Sequence, residues 1–279
     1  RYLASFLMSR LRPSLLRAAG QKGPWEEAWA DFRCLDAKAE LHGSRRVGIA
    51  CRDSDVDVVS SITLEEIVEL ARSRASPRPF EIDEHVRWAR MPRLLLRHQP
   101  TDLQVDIICR HQLEHQSYER DEVILALLDA CPLARDLVMQ IGEWVHAHTE
   151  EMPPKEGFPN TYTFRIMGFH YLMARSSGPL LAPMTAEGPF LREPSPCHKE
   201  EPLGEEIFKE WLCHLVVAGS PEGRLWADLR NPSDIGPPDV KWGVIDPVSR
   251  RNLTPFRGAQ PSKIASIAEK TLSELANSE

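Results

Sequence analysis

The sequence has few of the features that would assign it to a specialised class of protein. No stretch of its 279 residues approaches the about 20 consecutive apolar residues that a membrane-spanning helix needs. We therefore expect no membrane partner. Basic residues are not in excess either. The net charge of −7 argues against a strongly basic coat for nucleic acid, but it leaves room for a local basic groove.

Paired cysteines are also missing. The chain has six cysteines, and no two stand in Cys-x-x-Cys spacing, so we expect neither a zinc ribbon nor a thioredoxin-type site. Scattered cysteines indicate reduced thiols and an intracellular, reducing compartment, with the cytoplasm or nucleus favoured over an organelle. The first 25 residues hold five basic residues and no acid, as an organellar transit peptide does, but an ordinary amphipathic helix is the favoured interpretation.

The first part of the chain alternates helical and extended patterns. "YLASFLMSRLRPSLLRAAG" and "PWEEAWADFRCL" predict two helices, and "DAKAELHGS" predicts the edge of a sheet. The valines of "SDVDVVS" predict a strand, and "TLEEIVELARSR" predicts a helix that begins with a capping box of Thr63 and Glu66. "RLLLRH" and "LQVDIICR" predict neighbouring strands or a hairpin around a "QPTD" turn.

The rest of the chain is mostly helical in pattern. Helices are predicted in "DEVILALLDA", "PLARDLVMQIGEWVHAH", "NTYTFRIMGFHYLMAR" and "LGEEIFKEWLCHLVV", and a loop is predicted in the proline-rich "SSGPLLAPMTAEGPFLREPSPCHKEEP". The turn near residue 119 is the predicted boundary between the two parts. We therefore predict an α+β fold with one domain at 24–118 and a helical domain formed by 1–23 and 119–279.

Two acidic residues interrupt the valine-rich strand. Residues two apart in a strand face the same side, so Asp55 and Asp57 are predicted to point together while Val56 and Val58 point into the core. Carboxylates on one face repel each other unless a cation binds them, and Mg²⁺ prefers such oxygen ligands. Asp106, in the same phase of a later strand, would complete a set of three carboxylates able to hold two metal ions.

A Gly-Ser pair precedes the acidic strand. A glycine at a strand end lets the backbone approach a ligand closely, and successive amides in a turn bind anions. The Ser44 hydroxyl would add one more donor beside Gly43. A lone Gly-Ser is weak, but Gly-Ser followed by Asp55, Asp57 and a third phased acid is a far more specific combination, which favours phosphate chemistry.

The combination resembles the signature of a known family. "HGSRRVGIACRDSDVDVV" is similar to the motif of the polymerase-β-type nucleotidyltransferases, and in particular of the terminal nucleotidyltransferases, the non-template poly(A) and poly(U) polymerases of RNA. The resemblance implies a polymerase-β-like palm and a helical nucleotide-recognition, or PAP-associated-like, domain. The matching residues are Gly43, Ser44, Gly48, Ser54, Asp55, Asp57 and Asp106.

Two later segments resemble the same family. "NTYTFRIMGFHYLM" is similar to a family helix whose tyrosine stacks on the nucleobase, which implies nucleotide-binding roles for Thr161 and Tyr162. "WGVIDPVSRRNLTPF" is similar to the nucleotide-recognition motif, which implies such roles for Asp246, Arg251 and Asn252. The similarity covers roughly residues 25 to 260.

The chain also departs from the family pattern. Gly142 and His146 stand where the family carries two lysines that grip the triphosphate, and a histidine carries charge only when protonated. The family's Asn-Thr pair after the third aspartate is not evident in "CRHQLEHQSYERDE". Nearby arginines, such as Arg110 or Arg165, could compensate; otherwise the departures mark a slow or inactive enzyme.

The resemblance implies a reaction and its participants. Asp55, Asp57 and Asp106 would be catalytic and would bind Mg²⁺ or Mn²⁺ for transfer of a nucleoside monophosphate to the 3′-hydroxyl of single-stranded RNA. Gly43, Ser44, Ser54 and His146 would contact a nucleoside triphosphate. ATP is favoured over UTP because Arg251 replaces a histidine typical of uridine-preferring members.

Two alternatives stay open for the function. The chain could be a catalytically weak or inactive scaffold that binds RNA or protein, or it could transfer a nucleotide to an acceptor other than RNA. In either the proposed or the alternative functions, a protein partner could supply RNA specificity.

Overall fold

A computed structural model describes residues 23–52, 54–73, 79–87, 92–110, 116–185, 188–191, 204–254, 256 and 258–277. The helix predicted before residue 23 lies outside these residues, as does the stretch 192–203 of the predicted proline-rich loop. The chain divides into two compact units, of which the first ends at Asp121 and the second begins at Glu122. The assignment of these units to catalytic and recognition domains stays a prediction.

The first unit is built on a five-stranded mixed sheet. The strand order is β1-β2-β5-β4-β3; β2 runs parallel to β5, and the other neighbours are antiparallel. The elements in chain order are α1 (Pro24–Leu35), β1 (Glu40–Leu41), α2 (Gly43–Arg46), β2 (Val56–Ser60), α3 (Leu64–Arg72), β3 (Phe80–Val86), β4 (Arg93–His98) and β5 (Leu103–Cys109).

The strand period of two gives the central strands one apolar and one acidic face. Val56 and Val58 of β2, and Ile107 of β5, are fully buried in a core shared with α1 and α3. Burying each such side chain contributes about 1.5–3 kcal/mol. Asp57 and Asp106 alternate with these residues and are only half-buried on the opposite face. The packing of the helices therefore fixes where the acids can point.

The helix α3 begins at the predicted residue. Thr63 Oγ1 accepts a hydrogen bond from the Glu66 backbone N–H at 3.2 Å, and the Glu66 carboxylate accepts from the Thr63 N–H at 2.8 Å. The capping box read from the sequence is confirmed, and it fixes the chain direction just after β2.

The second unit packs helices around buried aromatic residues. Trp144 meets Phe164 and Trp211 edge to face, at centroid distances of 5.6 and 5.5 Å, and its Nε1 donates to Thr271 Oγ1 at 2.9 Å. The helix α4 (Gln116–Ala130) leads into this unit, which contains α5 (Pro132–Ala147), α6 (Thr161–Ala174), α7 (Gly204–Gly219) and α8 (Gln260–Ala276), a hairpin of β6 (Met184–Thr185) and β7 (Gly188–Leu191), and a parallel pair of β8 (Leu225–Ala227) and β9 (Trp242–Val244).

The structure confirms the predicted α+β class and adds elements that the sequence analysis did not predict. The charged β3 was not predicted, because only Phe80 of "FEIDEHV" is buried and the strand lies at the edge of the sheet. The helix α8 was not predicted either, although Ile264, Ala268, Thr271 and Leu275 have helical spacing and are buried. The segment predicted as a loop contains the β6–β7 hairpin in its described part.

Candidate functional site

Two of the three predicted acids lie side by side. Asp57 of β2 is the direct register partner of Asp106 of β5, so their Cα atoms are roughly 5 Å apart across the parallel pair. Asp55 precedes β2 by one residue and is exposed. The spacing of two places it on the Asp57 side of the strand. The sheet thus brings together two carboxylates that are 49 residues apart in the chain, as their numbering shows.

The acidic pair carries excess negative charge. Burial and the neighbouring carboxylates, Asp106 first, raise the pKa of Asp57 to about 7. Burial also raises the pKa of Asp106, although the Arg93 guanidinium beside it acts in the opposite direction. The two groups therefore favour holding a proton between them, or a cation in its place.

Arg45 is a cation built into the first unit near these acids. Its guanidinium donates to the backbone oxygens of Arg52, at 3.1 Å, and Ser54, at 2.5 Å, and lies over the Trp25 ring at 5.5 Å. Burial lowers its pKa, while the charges of Asp57 and other acids act to raise it. Arg45 thereby holds the segment that carries Ser54 against the start of β2.

The carboxylates fit a hard divalent cation in their chemistry. Asp106 Oδ1 is buried and has no hydrogen-bond partner, and its Oδ2 accepts from Arg93 Nη1 at 3.2 Å. An acceptor without a donor in a site of excess negative charge is suited to a metal ion. Among the described residues, no group of three His, Cys, Asp or Glu side chains is placed to hold a metal ion, so the metal set of Asp55, Asp57 and Asp106 stays a prediction. Arg93 contacts one of the two Asp106 oxygens.

The turn before the acidic strand requires a glycine. Gly43 has a φ of +66°, and a Cβ there would come within 2.5 Å of Asp57 Oδ2. The His42 backbone N–H donates to the Asp57 carbonyl oxygen at 3.1 Å, which ties this turn to β2. Ser44 follows directly, and its carbonyl oxygen accepts from the Ile49 N–H at 3.0 Å. The predicted phosphate turn is thus adjacent to the predicted metal ligands.

Sequence reasoning missed a fourth carboxylate at this turn. The Gly43 N–H donates to both oxygens of Asp121, at 3.2 and 3.0 Å, and Arg46 Nη1 lies 3.3 Å from Asp121 Oδ2. Asp121 is only 6% exposed. Asp121 lies near the start of α4 and is the only buried acid of this helix. The helix was predicted from its apolar pattern alone, so nothing nearby in the sequence indicated the contact with Gly43.

Tyr162 is held by the recognition segment of the second unit. Asn160 caps α6 by accepting from the Thr163 N–H at 3.0 Å, so Thr161 and Tyr162 form its first turn. The Tyr162 hydroxyl donates to Asp246 Oδ1 at 3.3 Å. Both residues predicted for the base-binding region are therefore in contact.

The Asp246 carboxylate accepts hydrogen bonds from its own turn. It is fully buried and also accepts from the Val248 N–H at 3.1 Å and the Ser249 hydroxyl at 2.8 Å. This enclosed carboxylate orients the ring of Tyr162 and the turn, and the role of Asp246 in nucleotide binding stays a prediction.

Asn252 is oriented by backbone donors. Its Oδ1 accepts from the N–H groups of Val244, at 3.2 Å, and Thr254, at 2.9 Å. Backbone N–H groups are donors only, so they fix which end of the amide is oxygen. The group that Asn252 can offer a ligand is its Nδ2. Arg251, exposed beside it, is likewise a donor.

An ion pair absent from the sequence predictions supports the same turn. Arg250 has a φ of +60°, unusual for a residue with a side chain, and its Nη1 and Nη2 contact both oxygens of buried Asp228, at 2.9 and 2.5 Å. No local motif links these residues, because they are 22 positions apart.

The structure shows where the residues considered in place of the missing lysines lie. Gly142 is buried within α5 and His146 is exposed near its end. Arg165 is buried and donates from Nε to the Val138 oxygen at 3.3 Å, while Arg110 pairs with Glu40. Both arginines thus make contacts within their own units, and their role in place of the lysines stays a prediction.

No family model and no curated protein matches the chain. The solved structure of a mutant of Cid1 poly(U) polymerase bound to MgATP matches with a TM-score of 0.72 and 14% identity, over 99% of this chain and 95% of that one. Terminal uridylyl transferase 4 from Trypanosoma brucei, with bound UPU, matches with a TM-score of 0.68 and 17% identity, over 99% and 98%.

A third structure is longer than this chain. mtPAP in complex with ATPγS matches with a TM-score of 0.65 and 13% identity, over 90% of this chain but only 64% of that one. The chain therefore spans less than two thirds of mtPAP. Together the three structures confirm the predicted α+β fold, which this chain shares with Cid1 poly(U) polymerase, terminal uridylyl transferase 4 and mtPAP. Among the described residues, no helix is long and apolar enough to span a membrane.

Proposed function

We propose that this chain is an enzyme, a template-independent RNA nucleotidyltransferase that adds nucleoside monophosphates to the 3′-hydroxyl of single-stranded RNA and releases pyrophosphate. One observation carries the proposal. Asp57 and Asp106 lie side by side beside the Gly43 turn, in a fold shared with Cid1 poly(U) polymerase and terminal uridylyl transferase 4. Those proteins are a poly(U) polymerase and a uridylyl transferase by name, which supports the reaction class.

The acids would hold two Mg²⁺ or Mn²⁺ ions. Asp55 and Asp57 would ligate both ions, and Asp106 would ligate the one nearest the RNA 3′-hydroxyl. The bound ions would supply stabilisation of charge on the attacking and leaving oxygens. Asp106 would also help to remove the proton from that hydroxyl.

The remaining predicted residues would hold the nucleotide. Gly43 and Ser44, helped by Ser54, would bind the β- and γ-phosphates, and His146 would contribute charge only when protonated. In the second unit the Tyr162 ring would stack on the base, and the hydrogen bond to Asp246 supports this by fixing the ring before the base arrives.

AMP is the predicted unit of transfer, and UMP is a second candidate. The sequence favours ATP through Arg251 and the short segment before Asn252. Against this, Asn252 Oδ1 is taken by two backbone N–H groups, so it cannot accept from the amino group of adenine. The Asn252 Nδ2 and the Arg251 guanidinium are both donors, and uracil offers them carbonyl oxygens.

Asp106→Asn tests the proposal. The variant keeps the size of the side chain but removes the charge that a metal ion and the hydroxyl proton need. We expect pyrophosphate release in the presence of RNA and nucleoside triphosphate to fall by about a thousandfold or more. Circular dichroism should show an unchanged fold, because β5 keeps its buried valine and isoleucine residues. Retained activity in a folded variant would contradict the assignment of Asp106.

A second measurement distinguishes the proposed enzyme from a scaffold without activity. Wild-type protein that is stabilised thermally by nucleotide with Mg²⁺, yet releases no pyrophosphate with any RNA, would be a binding protein. The positions of Gly142 and His146, in place of two lysines, would then be the leading explanation.

A further inference from the structure

The backbone amide proposed for phosphate binding is already occupied. The Gly43 N–H donates to both oxygens of Asp121, at 3.2 and 3.0 Å. These contacts lie within the first unit and join residues 78 positions apart. A carboxylate with two oxygens on one amide occupies the place where an anionic phosphate oxygen would accept the same hydrogen bond.

Arg46, a cation beside this turn, contacts the same carboxylate. Arg46 Nη1 lies 3.3 Å from Asp121 Oδ2, and its guanidinium lies over the Tyr118 ring at 5.4 Å. Arginine is well suited to bind phosphate, but here it faces a protein anion. The Gly43 amide and the Arg46 guanidinium therefore both donate hydrogen bonds to Asp121 in this structure.

Charge surrounds Gly43 on both sides. A Cβ at this position would lie 2.5 Å from Asp57 Oδ2, while Asp121 lies on the amide side. Asp121 is buried, so its charge is weakly screened by solvent. A triphosphate that approaches the Gly43 amide thus meets a fixed negative charge as well as an occupied donor.

We propose that Asp121 is an internal competitor of the nucleotide's phosphate groups, which lowers the affinity of the chain for nucleoside triphosphates until it leaves the Gly43 amide. This inference rests on the proposed function, which gives Gly43 its phosphate. The rival explanation is that Asp121 is only a strut that shapes the turn. The two roles predict different changes in phosphate affinity when the Asp121 charge is removed. Phosphate binds more tightly if Asp121 is a competitor, and equally or more weakly if it is only a strut.

Asp121→Asn separates the two roles. Asparagine keeps the size and one oxygen for the Gly43 N–H but removes the charge. The matched control is Asp129→Asn, the same charge change at an exposed position of the same helix, α4. Dissociation constants for inorganic tripolyphosphate, ATP and UTP would be measured with Mg²⁺ at one fixed ionic strength.

The competitor role predicts about tenfold tighter binding of tripolyphosphate and of a nucleoside triphosphate by Asp121→Asn, and no change in Asp129→Asn. It also predicts a lower KM for the nucleotide with kcat little changed, which a strut would not produce. Equal or weaker binding by a folded Asp121→Asn protein overturns the inference. If that variant does not fold, Asp121→Ser supplies the same neutral test with a smaller side chain.

The outcomes also separate this inference from the proposed function. Wild-type protein that extends RNA, together with an Asp121→Asn protein that binds no more tightly, overturns the competitor role alone. Tighter tripolyphosphate binding by Asp121→Asn with no RNA extension by any variant keeps the competitor role and overturns the proposed reaction.

Discussion

At the scale of single residues, the site depends on positions where another side chain would not fit. Gly43 combines a φ of +66° with a neighbour, Asp57 Oδ2, that leaves no room for a Cβ. The glycine was predicted from its motif, and its reason is steric: it lets the turn pass directly over the Asp57 carboxylate, a predicted metal ligand.

Gly43→Ala should therefore both destabilise the protein and damage the site. We expect a loss of about 1–3 kcal/mol in the free energy of unfolding from the left-handed backbone, measured by denaturant titration, together with loss of transfer activity. Gly157→Ala is the control, because Gly157 has a φ of +87° but a Cβ there meets only Gln260 Nε2 at 3.4 Å. Equal residual activity in the two variants would contradict the steric argument.

Arg93 is expected to compete with the metal for Asp106. Its Nη1 lies 3.2 Å from Asp106 Oδ2, so a cation that binds this oxygen must displace it. We expect Arg93→Gln to bind Mn²⁺ about three- to tenfold more tightly, measured by electron paramagnetic resonance of free Mn²⁺ without nucleotide. Arg97→Gln, on the same strand but paired with Asp83 and Asp102, should leave Mn²⁺ affinity unchanged. Weaker binding by Arg93→Gln would show that Arg93 orients the carboxylate instead.

At the scale of elements, long-range pairs hold the recognition turn that follows β9. The Asp228–Arg250 ion pair keeps Arg250 in a backbone conformation that it would otherwise avoid. Burial acts to raise the pKa of Asp228, but the hydrogen bonds and charges of Arg250 and Arg230 together outweigh it, and the pKa is lowered below its ordinary value of 3.8. A lowered carboxyl pKa contributes stability above the unfolded value, and that stability is lost as the pH falls through the folded pKa.

Arg250→Ala should remove this acid-sensitive contribution. At pH 7 we expect a loss of about 1–3 kcal/mol in the free energy of unfolding, because Asp228 stays buried without its main partner. The difference from wild type should shrink as the pH falls below about 4, because the unfolded chain then binds a proton that the folded wild-type Asp228 does not yet bind. Denaturant titrations of both proteins at pH 7 and pH 3 measure this, and a difference that does not depend on pH would contradict it.

Among these elements, some could be predicted from the sequence and others could not. The pairing of β2 with β5 follows from two runs rich in valine and isoleucine whose acids share a phase, and the start of α3 follows from a four-residue motif. β3 could not be predicted from apolar alternation because an edge strand leaves most of its side chains in water. Asp121 could not be predicted because its contact with Gly43 spans 78 positions and depends on where α4 begins.

At the scale of the whole molecule, the two units carry different parts of the proposed reaction. The first unit supplies carboxylates and an anion-binding turn, and the second supplies an aromatic ring fixed by a buried acid. The motifs of the first unit are specific because metal and phosphate chemistry allows few residue types. The base-binding motif is looser, and there the structure changed the interpretation: Asp246 and the oxygen of Asn252 fold the turn, which leaves donors to meet a base.

The central claim is tested most directly by extension of a labelled single-stranded RNA with each of the four nucleoside triphosphates, in Mg²⁺ and in Mn²⁺. Wild-type protein would be compared with an Asp55→Ala/Asp57→Ala double variant whose fold is verified by circular dichroism. The account predicts extension by wild type with one preferred nucleotide, ATP or UTP, and none by the double variant. No extension by folded wild-type protein with any nucleotide, or equal extension by the double variant, would contradict it.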